Sequence, residues 1–418
     1  MEGIFMKGSL LVIAALALVG ANAQAERYIL KNPTNSLVTA QAIKTFEFGN
    51  DTYVVVNAPR FSSLEASLGA SAENVMVDQK IGIPADHAGK QKQDNEGNWW
   101  WDDKPAKAWH PTKLKYAELP GDRDGRERIV AVIDTGVDYN HKDLKDHIWT
   151  NPREIANNGV DDDGNGYVDD VHGYDFEGND GDPMDGDSHG THCAGVIAGG
   201  VDAESGAQGV APGAKVMAVR IIGMEQTGFM SDAVEGIKYA VDNGATVLSN
   251  SWRVYRSWSS YNPSDENVEL MRKAIEYAGS KGAVFVAAAG NESKDMDRMV
   301  DDPMWPGGFE GLSNLIVVAA SDAKDQPAYF SNYGIGHVMV AAPGSDIIST
   351  VPNNKYKSMS GTSMATPLVA GSVARALSAN YGPDRAIARM METSLAGAAW
   401  KTKVKSGGTI QLTDYLRD

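Results

Sequence analysis

The sequence predicts an α/β fold, a doubly wound and predominantly parallel sheet preceded by a small α+β unit. Three observations lead there. From Ile129 onward, short fully apolar runs alternate with helical stretches, the pattern of parallel strands covered on both faces. Before residue 86, strand-like segments rich in β-branched and aromatic residues sit close together with little helix between them. The 418 residues are 42% hydrophobic and 22% charged, an ordinary globular composition that allows one large core and one small one.

Taken in order, the chain opens on a processing signal. Lys7 precedes the apolar run Leu10–Val19, too short to span a bilayer comfortably, and small-x-small sites follow at Ala21-Asn22-Ala23 and Ala23-Gln24-Ala25. Residues 1–25 therefore read as a secretory signal peptide, and a start at Met6 makes it cleaner. The expected location is the periplasm or the extracellular space. No later run reaches the roughly 18 apolar residues of a membrane span, so no stable membrane insertion is expected.

Residues 26–90 read as the small unit, with strands at Arg27–Leu30, Thr52–Val56 and Asn74–Val77 and a short helix at Phe61–Leu68. A unit of this size is marginal alone. Residues 91–126, with the Trp99-Trp100-Trp101 run, several lysines and Gly121-Asp122-Arg123-Asp124-Gly125, lack periodicity and read as a connector. Residues 127–418 carry the α/β pattern. Their expected strands are Ile129–Ile133, Val216–Ile221, Thr246–Leu248, Val284–Ala289, Leu315–Ala319 and finally Thr409–Leu412. Helices are expected at His192–Ala198, Met230–Val241, Asn267–Lys281 and Met364–Leu377.

In open parallel sheets, reactive side chains gather at the carboxyl ends of strands. Three polar clusters satisfy that rule. Val132-Ile133-Asp134-Thr135-Gly136 sets a carboxylate directly after a buried strand. Asp187-Ser188-His189-Gly190-Thr191-His192-Cys193-Ala194-Gly195 sets a histidine at the start of a small-residue helix. A metal reading through His189, His192 and Cys193 lacks a fourth ligand and the usual spacing. Ser360-Gly361-Thr362-Ser363-Met364-Ala365-Thr366-Pro367 opens an apolar helix and puts Ser363 at its positive end. Singly, these read equally well as a turn carboxylate, a structural histidine and an N-cap serine.

Together they carry more. Asp134, then His189 55 residues on, then Ser363 a further 174 on, is the chain order of a subtilisin-type triad. With Ala287-Ala288-Ala289-Gly290-Asn291, these motifs make residues 127–416 resemble the subtilisin-like serine endopeptidases, with features of the thermitase and proteinase K branches. The resemblance implies that Ser363 attacks the scissile carbonyl, His189 shuttles the proton and Asp134 fixes the imidazole. It implies an oxyanion hole from the Asn291 side chain and the Ser363 N–H. It aligns Ser249-Asn250-Ser251-Trp252-Arg253 with the strand that pairs with substrate, with Ser251, Trp252, Gly290 and Met304 at the substrate. Trp252 and Arg253 depart from the family's small residues there. Met304 argues for apolar substrate side chains and Asp295, Asp297, Asp301 and Asp302 for basic ones, and the sequence leaves both open. Cys193 resembles the free thiol of those branches and is expected to pack as a small residue.

The formal net charge is −17, which argues against nucleic acid as a partner. From Asn157 to Asp187 there are eleven Asp and Glu and no Lys or Arg, so the remaining chain carries only −6. Within that stretch Asp161, Asp163, Asn165 and Asp169 have the alternation of a calcium loop, although His172 stands where an EF-hand needs its glutamate. Calcium-rich relatives support the same expectation. By contrast, Ala203 in the loop Gly200–Gly209 replaces a family calcium ligand, although its partner Asp143 is present.

The expectation is therefore a secreted, monomeric serine endopeptidase with structural calcium and polypeptide substrates. Residues 26–90 would be its own propeptide, a folding template and temporary inhibitor removed by self-cleavage. The alternative is a secreted non-catalytic calcium-binding or interaction protein on a protease scaffold. One cysteine, Cys193, excludes an intramolecular disulfide.

Overall fold

The computed structural model describes residues 26–33, 42–58, 64, 75–84, 92–93, 99–100, 107–254, 265–299 and 303–417. The signal peptide, the helix expected at Phe61–Leu68 (except Leu64), Trp101, Asp301 and Asp302 lie outside the described residues. The chain divides into two compact units, Met1–Lys80 with Arg256–Lys273, and Ile81–Tyr255 with Ala274–Asp418.

The first unit holds strands β1 (Glu26–Lys31), β2 (Lys44–Phe48), β3 (Asp51–Ala58) and β4 (Val75–Val77) in the antiparallel order β2-β3-β1-β4. Alternate residues Tyr28, Leu30, Val54 and Val56 form its core with Leu64. The sequence reading has no strand at β2. That segment buries only Phe46 and Phe48, too few for a periodicity signal, and Phe46 stacks on Tyr53 across the strands.

The second unit begins with Ile81 and Gly82 of β5 (Lys80–Gly82) and contains a nine-stranded sheet. The expected connector holds a short antiparallel pair, Lys92–Gln93 with Trp99–Trp100, and a four-residue helix, His110–Lys113; after it, in chain order, come β6 (Ile129–Asp134), β7 (Gly173–Asp175), α1 (His189–Ala198), β8 (Lys215–Arg220), β9 (Thr227–Phe229), α2 (Met230–Asp242), β10 (Val247–Asn250), β11 (Arg253–Val254), α3 (Asp265–Ser280, whose Ala274–Ser280 lie in this unit) and β12 (Val284–Ala288). Then come β13 (Leu315–Ser321), β14 (Val340–Pro343), β15 (Ile347–Val351), β16 (Lys355–Met359), α4 (Thr362–Ser378), α5 (Pro383–Thr393), β17 (Leu395–Ala396), β18 (Gly408–Thr409) and α6 (Leu412–Tyr415). The sheet order is β17-β18-β14-β13-β12-β10-β6-β8-β7, parallel except for the β17–β18 pair. The expected strand Thr409–Leu412 is shorter, and its last residue begins a helix instead.

The two-residue period of a strand puts successive side chains on opposite faces. Val130, Val132, Val216 and Ala218 share one core with the small apolar residues of α1 and α4. On the other face α2 comes so close that a Cβ on Gly236 would lie 2.8 Å from Val219 Cγ1. Helices therefore cover both faces, which is why the central strands read as unbroken apolar runs. A smaller sheet runs β9-β5-β11, in which Ile81 and Gly82 pair antiparallel with Val254 and Arg253.

Candidate active site

β6 ends on Asp134, and α1 starts on His189. The two meet because Gly190 lets the chains touch, and a Cβ there would sit 2.1 Å from the Gly136 carbonyl oxygen. Asp134 Oδ1 accepts from His189 Nδ1 at 2.7 Å and from the Thr135 N–H at 2.7 Å. Both side chains are almost fully buried. This bond sets the neutral imidazole with its proton on Nδ1 and its basic lone pair on Nε2.

A residue the sequence reading passed over braces this pair. Asp185, 5% exposed, accepts at Oδ1 from Thr135 Oγ1 (3.0 Å) and the N–H groups of Asp187 (2.9 Å) and Ser188 (3.1 Å). Its Oδ2 accepts from the Thr191 N–H (2.9 Å) and Thr191 Oγ1 (2.5 Å). Thr135 Oγ1 in turn accepts from the Gly190 N–H at 2.9 Å. One carboxylate thus ties the turn after Asp134 to the first turn of α1. Burial pushes its pKa up, and these donors pull it back.

Ser363 is the second residue of α4, where backbone N–H groups have no partner within the helix. Its Oγ donates to the Ser251 carbonyl at 3.4 Å. Pro367, four residues on, has no N–H for the Ser363 carbonyl. Ser251 Oγ fills that place at 3.0 Å and Cys193 Sγ lies 3.5 Å away. Cys193 is a buried packing neighbour of the centre. His192 is turned away, with Nε2 on the carbonyls of Ile347 and Lys357.

Asn291 follows β12. Its Oδ1 accepts from both the N–H and Oγ1 of Thr362 at 2.9 Å, which orients the amide, and the Gly290 N–H donates to the same Oγ1 at 3.1 Å. Gly290 has φ +95°, a conformation that favours glycine. Of the expected substrate residues, Ser251 adjoins Ser363, Trp252 is buried at 1% exposure, and Met304 packs against Gly290.

In the acidic segment, Asp161 and Asp163 come together with Glu154, their ligand oxygens all within 4.8 Å of one another. Glu154 precedes the loop and was not a sequence candidate. All four expected ligands also bond the loop: Asp161 accepts from the N–H groups of Asn165 (3.1 Å) and Gly166 (2.8 Å), and Asp163 from that of Asn165 (3.0 Å). Asn165 Oδ1 caps the Tyr167 N–H at 2.8 Å, and Asp169 accepts from the N–H groups of Asn158 and Gly159 at 3.0 Å each. Glu154 Oε2 is buried and finds no donor among the described residues. Burial and the neighbouring Asp170 push its pKa up. At the second calcium position considered, Asp143 accepts from the Tyr356 hydroxyl, and Asp202 from the Ser205 N–H and Oγ at 2.7 Å each and Lys142 at 3.5 Å. Protein donors already occupy those carboxylates.

Comparison with known proteins shows the family. The model of the subtilase family, Peptidase_S8, matches residues 125–410. The chain is 40% identical over 242 residues to a thermophilic serine proteinase of Bacillus sp. (strain AK1), covering 58% of this chain and 50% of that protein. It is 36% identical over 266 residues to thermitase of Thermoactinomyces vulgaris, covering 64% and 80%. Subtilisin-like protease 1 of Plasmodium berghei is 30% identical over 307 residues, covering 69% and 49%. The chain thus spans about half the length of the first and third of these relatives.

Proposed function

The chain belongs to the subtilase family, and on that basis we propose that it is an exported serine endopeptidase, made as a precursor that cuts itself. The 2.7 Å bond between His189 Nδ1 and Asp134 carries the reading. With Nδ1 so held, Nε2 is the base that takes the Ser363 proton. Ser363 Oγ then bonds to the scissile carbonyl carbon, and charge develops on its oxygen near the Ser363 N–H and the Asn291 amide. The imidazolium, stabilised by Asp134, returns the proton to the leaving amine as the C–N bond breaks. Water hydrolyses the ester by the reverse sequence. A peptide substrate would add as a strand beside β11, the place that Ile81 and Gly82 take here. Residues 26–90 act as propeptide and 1–25 as the export signal.

Glu154, Asp161 and Asp163 would hold calcium. The Glu154 oxygen without a donor suits a hard divalent cation, which would compete with Arg153 for Asp163 (Nη2 to Oδ2, 2.9 Å) and neutralise the repulsion among the three carboxylates. A fluorophosphonate probe on the matured protein tests the enzyme reading. Labelling is expected at Ser363 and is expected to vanish in Ser363→Ala. An unlabelled wild-type protein would favour the non-catalytic binding protein. Ser363→Ala is also expected to persist at precursor size, and a mature-sized product from it would refute self-cleavage.

A further inference from the structure

We infer that the cleft selects a compact residue on the acyl side of the cut bond, and that Met304 and the Arg253–Glu292 ion pair impose this choice. The inference rests on the protease reading above. Strand register sets the positions. Ile81 and Gly82 lie opposite Val254 and Arg253. Carrying that antiparallel register two residues further puts Ile83 opposite Trp252 and Pro84 opposite Ser251. Ser251 is the residue whose carbonyl accepts from Ser363 Oγ. Pro84 therefore holds the acyl-side position nearest Ser363, and it has no N–H to compete for that carbonyl. All four residues from Ile81 to Pro84 are buried.

On this register a side chain at that position faces the gap between two strand extensions. β10 and β12 are parallel neighbours, with Asn250 opposite Ala287. Beyond them run Ser251–Val254 on one side and Ala289–Asn291 on the other. This space is already filled. A Cβ built on Gly290 would lie 2.0 Å from Met304 Cε, 2.6 Å from Asn332 Nδ2 and 2.7 Å from Glu292 Oε2, so the methyl, the amide and the carboxylate cover the glycine's open face. Arg253 reaches across to Glu292, Nη1 to Oε1 at 2.9 Å. Asn332 Nδ2 holds the other Glu292 oxygen at 2.7 Å. Met304 and Arg253 are 2% and 5% exposed.

An aromatic or long basic side chain would have to displace the Met304 methyl or break the Arg253 pair, leaving a buried charge without its partner. Alanine, glycine, serine or proline needs neither change. Of the acidic residues that could have drawn a basic side chain, the two among the described residues, Asp295 and Asp297, are engaged elsewhere. Asp295 bonds the Asp297 N–H and Arg298, and Asp297 bonds the Gly336 N–H and His337. Pro84, the chain's own residue at this position, is compact.

The test uses the matured protein and peptides of the form Ile-Gly-Ile-X with a chromogenic amine leaving group, X being Ala, Pro, Phe or Lys. Ala is expected to exceed Phe and Lys by tenfold or more in kcat/KM. In Met304→Gly the Phe-to-Ala ratio is expected to rise at least tenfold. Equal or better cleavage after Phe or Lys by the wild-type protein overturns the inference, as does an unchanged ratio in a variant that still reacts with a fluorophosphonate. Labelling at Ser363 without cleavage after Ala or Pro overturns this inference alone. Absence of labelling overturns the protease reading and the inference with it.

Discussion

Thr362 donates twice to Asn291, through its N–H and its Oγ1, each 2.9 Å from Oδ1. The backbone bond comes with the start of α4, while the hydroxyl bond depends on the side chain. Thr362→Val keeps the shape and the first bond but removes the second. One neutral hydrogen bond is worth about 0.5–1.5 kcal/mol, so kcat is expected to fall by about twofold to twelvefold with KM nearly unchanged. Asn291→Ala should cost more. The usual loss for such an asparagine, about 10²–10³ in kcat, is a figure measured on subtilisin, a relative in the same family, and not one that this geometry supplies. Steady-state kinetics on one good peptide checks both, and a Thr362→Val enzyme with full kcat would remove Thr362 from the machinery.

Asp185 offers a second test, because it acts through other residues and touches neither Asp134 nor His189 in the hydrogen bonds described. Its five donors converge on two oxygens. In Asp185→Asn the amide NH₂ must face at least one N–H, and the charge-assisted bonds are lost. Roughly 2–3 kcal/mol of stability should go with them, or about 5 °C or more in Tm. kcat should fall at least tenfold as the His189 ring loses its fixed position. If Tm drops while kcat holds, Asp185 stabilises the loop without positioning the histidine.

These two residues mark where sequence reading stopped. The buried strands were legible because β6, β8, β10, β12 and β13 are covered on both faces and so carry no polar interruptions. Asp134, His189 and Ser363 could be singled out as candidates because each ends a strand or opens a helix in a fixed chain order. Glu154 was not, because it enters the acidic loop from a neighbouring turn and only the fold brings it near Asp161. The Arg253–Glu292 pair was not, because its partners lie on different strand extensions 39 residues apart. Strands β7, β9 and β11 are two or three residues long, too short for any period to register. Asp169 has the spacing of a ligand, and its oxygens accept from the N–H groups of Asn158 and Gly159.

Buried histidines predict how the protein responds to acid. Burial lowers the pKa of His110 from 6.5 to about 4 and that of His192 to about 3. Both folded values lie below the unfolded one. Stability is therefore complete above pH 6.5 and declines as pH falls, because the unfolded chain takes up protons that the fold refuses. Asp175, raised by burial to about 6, works in the opposite sense between its unfolded value of 3.8 and pH 6. Burial lowers His141 and His147 in the same sense, while Asp185 and Glu154 are raised like Asp175 and act against them. Calorimetry on Ser363→Ala, which avoids autolysis, is expected to show Tm falling steadily below pH 6.5. A flat Tm from pH 7 to 4.5 would contradict these assignments.

Removal of calcium makes the last prediction, and it separates two kinds of acidic residue in one loop. Glu154, Asp161 and Asp163 converge, Asp161 and Asp163 while also holding the N–H groups of Asn165 and Gly166, and Asp169 holds those of Asn158 and Gly159. If the first three hold the ion, free calcium at about 100 times Kd adds about 2.7 kcal/mol to stability, so EDTA should lower Tm by about 5–10 °C. Glu154→Gln removes a charge from the site, and most of the calcium-dependent increment should vanish. Asp169→Asn should lower Tm both with and without calcium but keep the increment, because the loop is weakened while the ligand oxygens stay. A wild-type Tm that EDTA does not move would count against structural calcium, and loss of the increment in Asp169→Asn alone would return that residue to the ligand set.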